Sequence, residues 1–427
     1  MSESSDRIRR PGIESQALTD RLARVESPGV TTLTPEPPIF WKTAQGSHVV
    51  DVDEQRYVDL TAAFGVSSVG HAHPRVVRAI SAQSEVLLHG MGDVYPPAIK
   101  VELLEALASI APEPLNRSVL SLNGADSVET ALKCAELVTG KAGVFAFHGA
   151  YHGLSYGALT VTSRQDFKEP FAGKLKESTT FFSYPNEDGD VDAVIREMER
   201  ALRDSSNGTV PVGAVIVEPV QGRGGVRIPP ASFLPALRRL CDRFDLFLIV
   251  DEIFTGLGRT GELFAVNHWG VVPDLMCIGK ALGGGMPLSA CMGTERSLGQ
   301  WPVATGEALH TSTFLAHPTC CAAALASLAV IREESLPQRA HVLGRTVLEQ
   351  LADAPVVDVR GLGLMIGVEL ESGERCQSVV KSAREHGVLL LPSGEQGEVI
   401  SLTPPLTIDE HDLHDAIEIL KQCLRMN

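Results

Sequence analysis

Short apolar runs alternate with stretches of helical periodicity through most of the chain after about residue 72. Helical segments such as FLPALRRLCDRF (233–244) separate many of the runs. The runs are rich in Val, Ile, Leu and Phe, and they comprise SVLSL (118–122), GVFAF (143–147), GAVIVEPV (213–220), LFLIVDEI (246–253) and DLMCIG (274–279). Continuous apolar strands that alternate with helices are typical of a parallel sheet covered on both faces. The pattern therefore predicts an α/β fold with a mostly parallel sheet.

The two ends of the chain follow other patterns. Residues 1–38 are polar and include PEPP, which predicts an arm that is partly ordered against a partner. GSHVVDVDEQRYVDL (46–60) alternates apolar and polar residues around DVDEQ, which predicts a β-hairpin. Beyond about residue 316 the chain is expected to form a helix in HPTCCAAALASLAVIREE, a strand in VRGLGLMIGVEL (359–370) and a closing helix in HDLHDAIEILKQCLRM.

These changes of pattern predict two domains, as does the length of 427 residues, which is too long for one simple core. The large domain is predicted to span 71–315. The smaller domain is predicted to be α+β and to consist of 316–427 together with the N-terminal arm and hairpin (1–70).

Composition narrows the classes of partner. The formal net charge of −16 argues against nucleic acid or an anionic membrane as the main partner, but it does not exclude a small anionic ligand in a local basic pocket. No stretch reaches the ~18 apolar residues of a membrane span, and MSESSDRIRRPG lacks the apolar region of a secretory signal.

The eight cysteines form no CxxC motif, and the adjacent pair Cys320-Cys321 is too close for ordinary disulfide geometry. Buried free thiols in a reducing compartment are the simplest interpretation, so we expect a cytoplasmic protein. No metal site is predicted.

Charged side chains stand at the carboxyl ends of three successive predicted strands. Glu218 follows AVIV, Asp251 follows LIV, and Lys280 follows DLMCIG. Chemistry in parallel-sheet proteins gathers beyond these ends, so the three residues predict a site. Lys280 lies within the mostly apolar and glycine-rich stretch DLMCIGKALGGGMPLSA. A lysine in such a setting often has a depressed pKa and forms imines with carbonyls. A surface lysine on a glycine-rich turn is the alternative that the local sequence leaves open.

A phosphate cradle is predicted in LNGADSVETALKCAE (122–136). Gly124 and Ala125 close a strand, and Asp126 with Glu129 resembles a capping box at the start of a helix. The backbone N–H groups of such a start favour a phosphate.

An aromatic face is predicted in FHGAYHG (147–153), where Tyr151 lies between glycines just after a strand. Tyr151 could stack on a planar ligand or could simply be a tyrosine in a turn. Together, the lysine, the carboxylate, the cradle and the aromatic ring suit pyridoxal phosphate. The G-x-G-x-x-G context of a nicotinamide site is not found.

From about residue 40 to its C-terminus the chain resembles the class III (ornithine- and 4-aminobutyrate-type) aminotransferases of fold type I. The segment LIVDEIFTGLGRTGELFAVNHWGVVPDLMCIGKALGGGMPLSA is long and specific to that class. The resemblance implies a fold type I pyridoxal-phosphate transferase. In it, Lys280 forms the imine with the cofactor and shuttles the proton, and Asp251 pairs with the pyridine nitrogen.

The resemblance assigns further residues to the cofactor. Ile253 and Tyr151 pack against the two faces of the ring. Gly124 and Ala125 hold the phosphate. Thr313, in HTSTF, matches a threonine that reaches the phosphate of the neighbouring subunit, which implies a homodimer with shared active sites.

Other matching positions lie on the substrate side. Glu218 and Gln221, in VEPVQG, are implied to lie near the ring hydroxyl of the cofactor and the substrate, and Phe64 is a further substrate candidate. Phe254 stands where many members have a glutamine, so the resemblance does not supply that hydrogen bond to the ring oxygen.

Two departures concern the recognition of a carboxylate. Relatives often read EPxQGE, but here EPVQGR places Arg223 at the glutamate position. Relatives also carry an arginine before P-P-L, where VISLTPPLTI has Ser401. We therefore expect Arg223 to take over part of the carboxylate recognition, unless it points to solvent. Arg360, in VRGLGL, is either a domain-packing arginine or another carboxylate partner.

The leading hypothesis is an aminotransferase that moves an amino group from an amine or amino acid to a keto acid or aldehyde. A racemase, epimerase or aminomutase on the same residues is the alternative enzyme. A cofactor-binding protein without catalytic activity is the third possibility.

Overall fold

The computed structural model describes residues 8–34, 36–176, 178–187, 189–204 and 210–426. The first seven residues of the predicted arm and one proline of its PEPP segment, Pro35, lie outside the described residues.

The α-helices of the described residues are numbered in chain order: α1 (Ile13–Val25), α2 (Ala62–Gly65), α3 (Pro74–Val86), α4 (Ala98–Ile110), α5 (Gly124–Thr139), α6 (Tyr156–Val161), α7 (Gln165–Lys168), α8 (Val191–Arg203), α9 (Phe233–Phe244), α10 (Pro318–Glu333), α11 (Leu336–Leu351), α12 (Gly373–Glu385) and α13 (Glu410–Met426). Short 3₁₀ helices span Glu169–Lys174, Ala265–Trp269, Lys280–Gly283 and Leu298–Gln300.

The strands, also in chain order, are β1 (Trp41–Gln45), β2 (His48–Asp51), β3 (Arg56–Asp59), β4 (Arg117–Ser121), β5 (Gly143–Phe147), β6 (Thr179–Phe182), β7 (Val212–Val217), β8 (Phe247–Asp251), β9 (Leu275–Ile278), β10 (Ser289–Gly293), β11 (Asp358–Leu362), β12 (Met365–Glu369), β13 (Val388–Leu389), β14 (Leu391–Ser393) and β15 (Val399–Leu402).

A seven-stranded sheet forms the centre of the fold, in the order β4-β10-β9-β8-β7-β5-β6. Strands β9, β8, β7, β5 and β6 pair in parallel, whereas β10 is antiparallel to both β9 and β4. Every residue of β8 and β9 is buried, as expected for apolar strands that carry helices on both faces. The predicted α/β class with a mostly parallel sheet is confirmed.

Two small sheets flank the central one, in the orders β1-β2-β3-β13 and β11-β12-β15-β14. The hairpin predicted in 46–60 is confirmed, since β2 pairs antiparallel with β3. The single strand predicted in 359–370 is wrong. Gly363, at a φ of 55°, reverses the chain there, and β11 pairs antiparallel with β12.

The N-terminal segments connect with the C-terminal part of the chain. β13 pairs in parallel with β3, so one sheet contains strands from both ends of the sequence. This pairing supports the predicted smaller domain, and the domain limits themselves stay a prediction. The predicted arm contains α1, whose first turn donates backbone N–H groups to the carboxylate of Asp53.

None of the described helices is both long and apolar enough to cross a membrane.

Candidate active site

A cavity of about 680 Å³ opens beyond the carboxyl ends of β7, β8 and β9. Most of its wall is apolar or glycine. Nine of the predicted site residues line it: Phe64, Gly124, Ala125, Tyr151, Glu218, Arg223, Asp251, Ile253 and Lys280. Gln221, Thr313 and Ser401 are not among the described lining residues.

The parallel pairing of three neighbouring strands brings the three charged residues together. β7 pairs with β8, and β8 pairs with β9, so the strand ends lie side by side. Glu218 follows the last residue of β7, Asp251 ends β8, and Lys280 lies two residues after β9. Their convergence follows from the sheet topology that the sequence predicts.

Lys280 begins a 3₁₀ turn directly after Gly279 and has a φ of 40°. A positive φ is uncommon outside glycine, and it marks a strained position. Burial lowers the pKa of Lys280 to about 8, while the charges of Asp251 and Glu218 oppose this shift. A substantial fraction of the amine is thus neutral near physiological pH, as a nucleophile or a base requires.

Asp251 is buried and makes a short contact with His152. The distance from Oδ2 of Asp251 to Nδ1 of His152 is 2.7 Å, and Oδ1 accepts the N–H of Ile253 at 3.0 Å. Burial alone would lower the pKa of His152, but the hydrogen bond and charge of Asp251 and the charge of Glu218 raise it. Nε2 of His152 is buried and has no hydrogen-bond partner among the described residues.

No role was predicted for His152 from its sequence context. Its partner Asp251 lies on another strand, and periodicity carries no information about such pairing. The only available signal was that His152 follows Tyr151 directly in FHGAYHG, in an irregular segment at the end of β5.

Glu218 is a second buried carboxyl group at the cavity. Burial raises its pKa to about 7, although the charge of His152 opposes the shift. It accepts the backbone N–H groups of Tyr151 and Gly222 at 3.0 and 3.1 Å. Glu218 therefore ties the Tyr151 segment to the loop after β7.

The start of α5 faces the cavity. Asn123 caps the helix, because its side chain accepts the N–H of Asp126 at 3.0 Å. The predicted capping box is wrong, since Glu129 accepts hydrogen bonds from Ser155 and Gly157. The first N–H groups of an α-helix have no partner within the helix, so this end can bind an anion.

Glycines allow the segments around this helix start to approach closely. A Cβ atom at Gly153 would lie 2.6 Å from the Cβ of Ala125, and one at Gly124 would lie 2.9 Å from Cδ1 of Ile253. Both distances are too short for real side chains. The helix start is therefore packed tightly between the Tyr151 segment and the loop after β8.

Arg223 lies at the cavity, and its guanidinium is over the ring of Tyr151, 5.0 Å from the centroid. The Tyr151 ring also meets Phe167 edge-on, at a centroid distance of 6.0 Å. The side chain of Arg223 is exposed and makes no ion pair with any described residue. It is therefore available to an anionic ligand.

Three predicted residues lie elsewhere. Gln221 is buried and donates from Nε2 to the carbonyl of His148 at 2.8 Å, while its Oε1 has no partner among the described residues. Ser401 is buried on β15, opposite Gly367 and Leu391. Thr313 is exposed in the segment between β10 and α10.

Arg360 is engaged outside the cavity. It donates to the backbone carbonyls of Val226 and Gly225, at 3.0 and 2.6 Å, and pairs with Asp358 and Glu369. These contacts support the packing role for Arg360 rather than recognition of a substrate carboxylate.

The short element α2, whose backbone is a left-handed turn rather than a regular α-helix, forms another wall. The φ angles of Ala62, Ala63 and Phe64 are 43°, 49° and 62°, and Gly65 continues the turn at 78°. Successive L-residues in this region cost roughly 1–2 kcal/mol each, so the surrounding structure must hold the turn in place. Phe64 is 60 % exposed at the cavity.

The residues present fit pyridoxal phosphate. One cavity combines an amine with a lowered pKa, a buried carboxylate, a helix start and the aromatic Tyr151. The orphaned Nε2 of His152 is a further polar atom that the protein alone leaves unsatisfied. No group of three or more residues that could hold a metal ion occurs in the described part of the chain.

Known proteins match almost the whole chain. The model of the family "Aminotransferase class-III" matches residues 31–424. An acetylornithine aminotransferase from Methanopyrus kandleri is 40% identical over 390 residues, which cover 91% of this chain and 95% of that protein.

Solved structures agree with these matches. An amine transaminase from an uncultivated Pseudomonas species, in the PLP-bound (internal aldimine) form, has a TM-score of 0.86 and 30% identity, covering 94% of this chain and 98% of that chain. An ornithine aminotransferase from Toxoplasma gondii has a TM-score of 0.86 and 29% identity, covering 96% and 95%. The fold type I architecture is confirmed. The chain belongs to the class-III aminotransferase family and is a pyridoxal-phosphate-dependent aminotransferase.

Proposed function

We propose that this enzyme transfers the amino group of a primary amine that bears at most one carboxylate, with Lys280 as the catalytic base and Arg223 as the carboxylate partner. The observation that carries this proposal is the cavity wall. Apart from Lys280, its only described lysine or arginine is Arg223. Most other lining side chains are apolar, including Phe64, Leu154 and Met286.

The roles toward the cofactor follow from the same geometry. The start of α5 at Gly124 and Ala125 would hold the phosphate, Tyr151 and Ile253 would pack on the ring, and Asp251 would pair with the ring nitrogen. When bound, pyridoxal phosphate would supply an electron sink for the carbon that carries the substrate amino group.

The residues around the reacting carbon have separate tasks. Nζ of Lys280 takes the proton from the carbon that carries the amino group, since its lowered pKa keeps a neutral fraction available. Asp251 would stabilise a positive charge on the ring nitrogen of the cofactor, and His152 orients the Asp251 carboxylate through the 2.7 Å contact. The apolar wall of the cavity limits the access of water to Lys280 and Asp251.

The role of Lys280 is tested by Lys280→Ala. We expect turnover to be lost, and we expect borohydride reduction to attach the cofactor to the Lys280 peptide of the parent enzyme, as identified by mass spectrometry. Lys42→Ala is the control, because Lys42 is exposed and pairs with Glu54. Full turnover by the Lys280→Ala enzyme would refute the assignment.

The role of Arg223 is tested by Arg223→Ala. We expect KM for carboxylate-bearing substrates to rise at least about tenfold, equivalent to about 1.4 kcal/mol. KM for amines that lack a carboxylate should stay nearly unchanged. Guanidinium offers a two-pronged match to a carboxylate, so Arg223→Lys should recover only part of the effect. Equal effects on both substrate types, or none, would remove Arg223 from the site.

An acceptor screen tests the limit of one carboxylate. We expect 2-oxoglutarate to be a poorer acceptor than pyruvate or an aldehyde, because a single arginine is available for its two carboxylates. A strong preference for 2-oxoglutarate would contradict this proposal. A single enantiomer incubated without an acceptor should not racemise, and racemisation would favour the epimerase alternative.

We further propose a homodimer in which Thr313 reaches the phosphate of the partner subunit. Two segments that carry exposed apolar side chains support it. They contact each other through the Thr311 hydroxyl and Asp93, 2.6 Å apart, and the exposed side chains are Met91, Val94, Tyr95, Leu309 and Phe314. Exposed apolar patches of this kind mark interfaces.

Light scattering tests the dimer, with an expected mass of about twice 45.7 kDa. A fully active particle of 45.7 kDa would contradict it. We also propose a cytoplasmic location. The eight cysteines are buried and form no disulfide bond, which supports a reducing compartment.

A further inference from the structure

The aromatic ring of Phe254 contacts the amine of Lys280 face-on. Nζ lies over the ring, 4.1 Å from its centroid. No described residue forms an ion pair or a hydrogen bond with Nζ, although Asp251 and Glu218 line the same cavity. The contact that the protein makes with this nitrogen is therefore an aromatic π face, not a hydrogen-bond acceptor or a carboxylate.

Two backbone segments hold the Phe254 ring in place. A Cβ atom at Gly222 would lie 2.4 Å from Cδ1 of the ring, and one at Gly65 would lie 2.6 Å from Cε2. Any side chain at either position would collide with the ring. The ring is thus clamped between the loop after β7 and the left-handed turn, both of which approach it closely.

The turn that forms one side of this clamp is itself held under strain. The carboxylate of Asp59 accepts the backbone N–H of Thr61 at 2.8 Å and that of Ala63 at 3.3 Å. These bonds support a run of positive φ angles that ends at Gly65, against the ring. Strain that the surrounding structure maintains at a cavity points to a functional requirement.

We propose that Phe254 is a positioning residue for Lys280, and that its ring face holds the protonated nitrogen of Lys280 within the cavity whenever that nitrogen is detached from the cofactor. This inference rests on the proposed role of Lys280. A cation over an aromatic face is attracted by the quadrupole of the ring, most strongly where water is excluded.

The ring has two opposing effects on the amine. By excluding water it favours the neutral form, and through its π face it favours the cation. A substitution that removes the π face but keeps an apolar side chain of similar volume isolates the second effect, the stabilisation of the cation. We therefore expect Phe254→Leu and Phe254→Met to lower the pKa of Lys280 by about one unit, the size of a desolvated cation–π contact.

The pKa is measured in the cofactor-free full-length protein. The rate at which an amine reagent labels the Lys280 peptide is followed against pH by mass spectrometry. Phe254→Tyr keeps the ring, and its pKa should match that of the parent protein. An unchanged or raised pKa in the Leu and Met variants would overturn the proposal, because admission of water alone raises the pKa of a buried amine.

A second readout uses the loaded enzyme. The acid limb of the kcat profile should move to lower pH by about one unit in the Leu and Met variants, since Lys280 must be neutral to act as the base. A limb that stays in place would also overturn the proposal. A purely structural role of Phe254 would lower stability without moving this limb.

Failure of this inference is distinguishable from failure of the proposed function. If borohydride attaches the cofactor to a residue other than Lys280, the proposed function fails. If it attaches the cofactor to Lys280 but the pKa of Lys280 is the same in the Phe254→Leu, Phe254→Met and parent proteins, only the role of Phe254 fails.

Discussion

The carboxylate of Asp251 offers the sharpest test of the cofactor assignment, through Asp251→Asn. The substitution keeps the size and shape of the side chain and removes its charge. The carboxylate is 5 % exposed, so little solvent is present to replace the lost interaction. The change also removes the group that raises the pKa of His152.

The expected effect follows from the strength of charge-assisted hydrogen bonds. Loss of such a bond to the ring nitrogen costs about 1.5–3 kcal/mol, which corresponds to a cofactor dissociation constant raised about 10- to 150-fold. The loss of charge also weakens the stabilisation of a protonated ring nitrogen, so kcat should fall as well. A protonated His152 would lose its partner 2.7 Å away, and the stability it adds below its raised folded pKa would be lost.

Glu252→Gln is a matched control for Asp251→Asn. Glu252 is the next residue and is also buried, but its carboxyl group accepts a hydrogen bond from the Thr255 hydroxyl. It also accepts the backbone N–H of Val266, at 2.8 Å. Glu252 is not among the described residues that line the cavity. Its replacement should therefore change stability and leave cofactor affinity unaltered.

The assay is a titration of each cofactor-free variant with pyridoxal phosphate, followed by steady-state kinetics. We expect a large loss of affinity for Asp251→Asn alone. The reasoning fails if Asp251→Asn binds the cofactor within about threefold of the parent protein, or if the two variants weaken binding equally.

Three further predictions concern other parts of the site. Gly153→Ala should weaken cofactor affinity at least about tenfold, since its Cβ would lie 2.6 Å from that of Ala125, whereas Gly173→Ala meets no atom within 4 Å and should have no effect. Lys280→Met should stabilise the cofactor-free protein against urea below about pH 8, and this advantage should shrink as pH rises toward 10.5, because the unfolded chain holds the lysine proton more tightly than the folded one. Arg360→Ala should lower the free energy of unfolding by about 3 kcal/mol and leave KM for carboxylate substrates unchanged; a raised KM would move Arg360 into the site.

The central strands were predictable because their apolar runs are continuous and clearly bounded. β5 and α9 coincide with the predicted segments 143–147 and 233–244. β10 was missed, because SACMG contains small and polar residues and its burial comes from its two neighbouring strands. The hairpin of β11 and β12 was merged into one strand, since the pattern does not reveal the left-handed conformation at Gly363.

The charged centre of the site was predictable because each of its three residues sits at a strand end. Glu218, Asp251 and Lys280 meet because β7, β8 and β9 are neighbours, and the topology of an α/β sheet implies this. The contact of His152 with Asp251 and the clamp around Phe254 depend on loop conformations. These conformations are determined by tertiary packing, which the local sequence does not encode.

The pairing of β4 with β10 has a consequence for how the enzyme is made. β4 leads into the helix start proposed to hold the phosphate, yet its neighbour in the sheet is the last central strand in the chain, with Ser121 opposite Ser289. During synthesis β4 emerges from the ribosome long before this neighbour exists. The proposed cofactor pocket is therefore expected to form only after β10 is available. The cofactor should then bind to a sheet that is already assembled and stabilise it, rather than nucleate its folding.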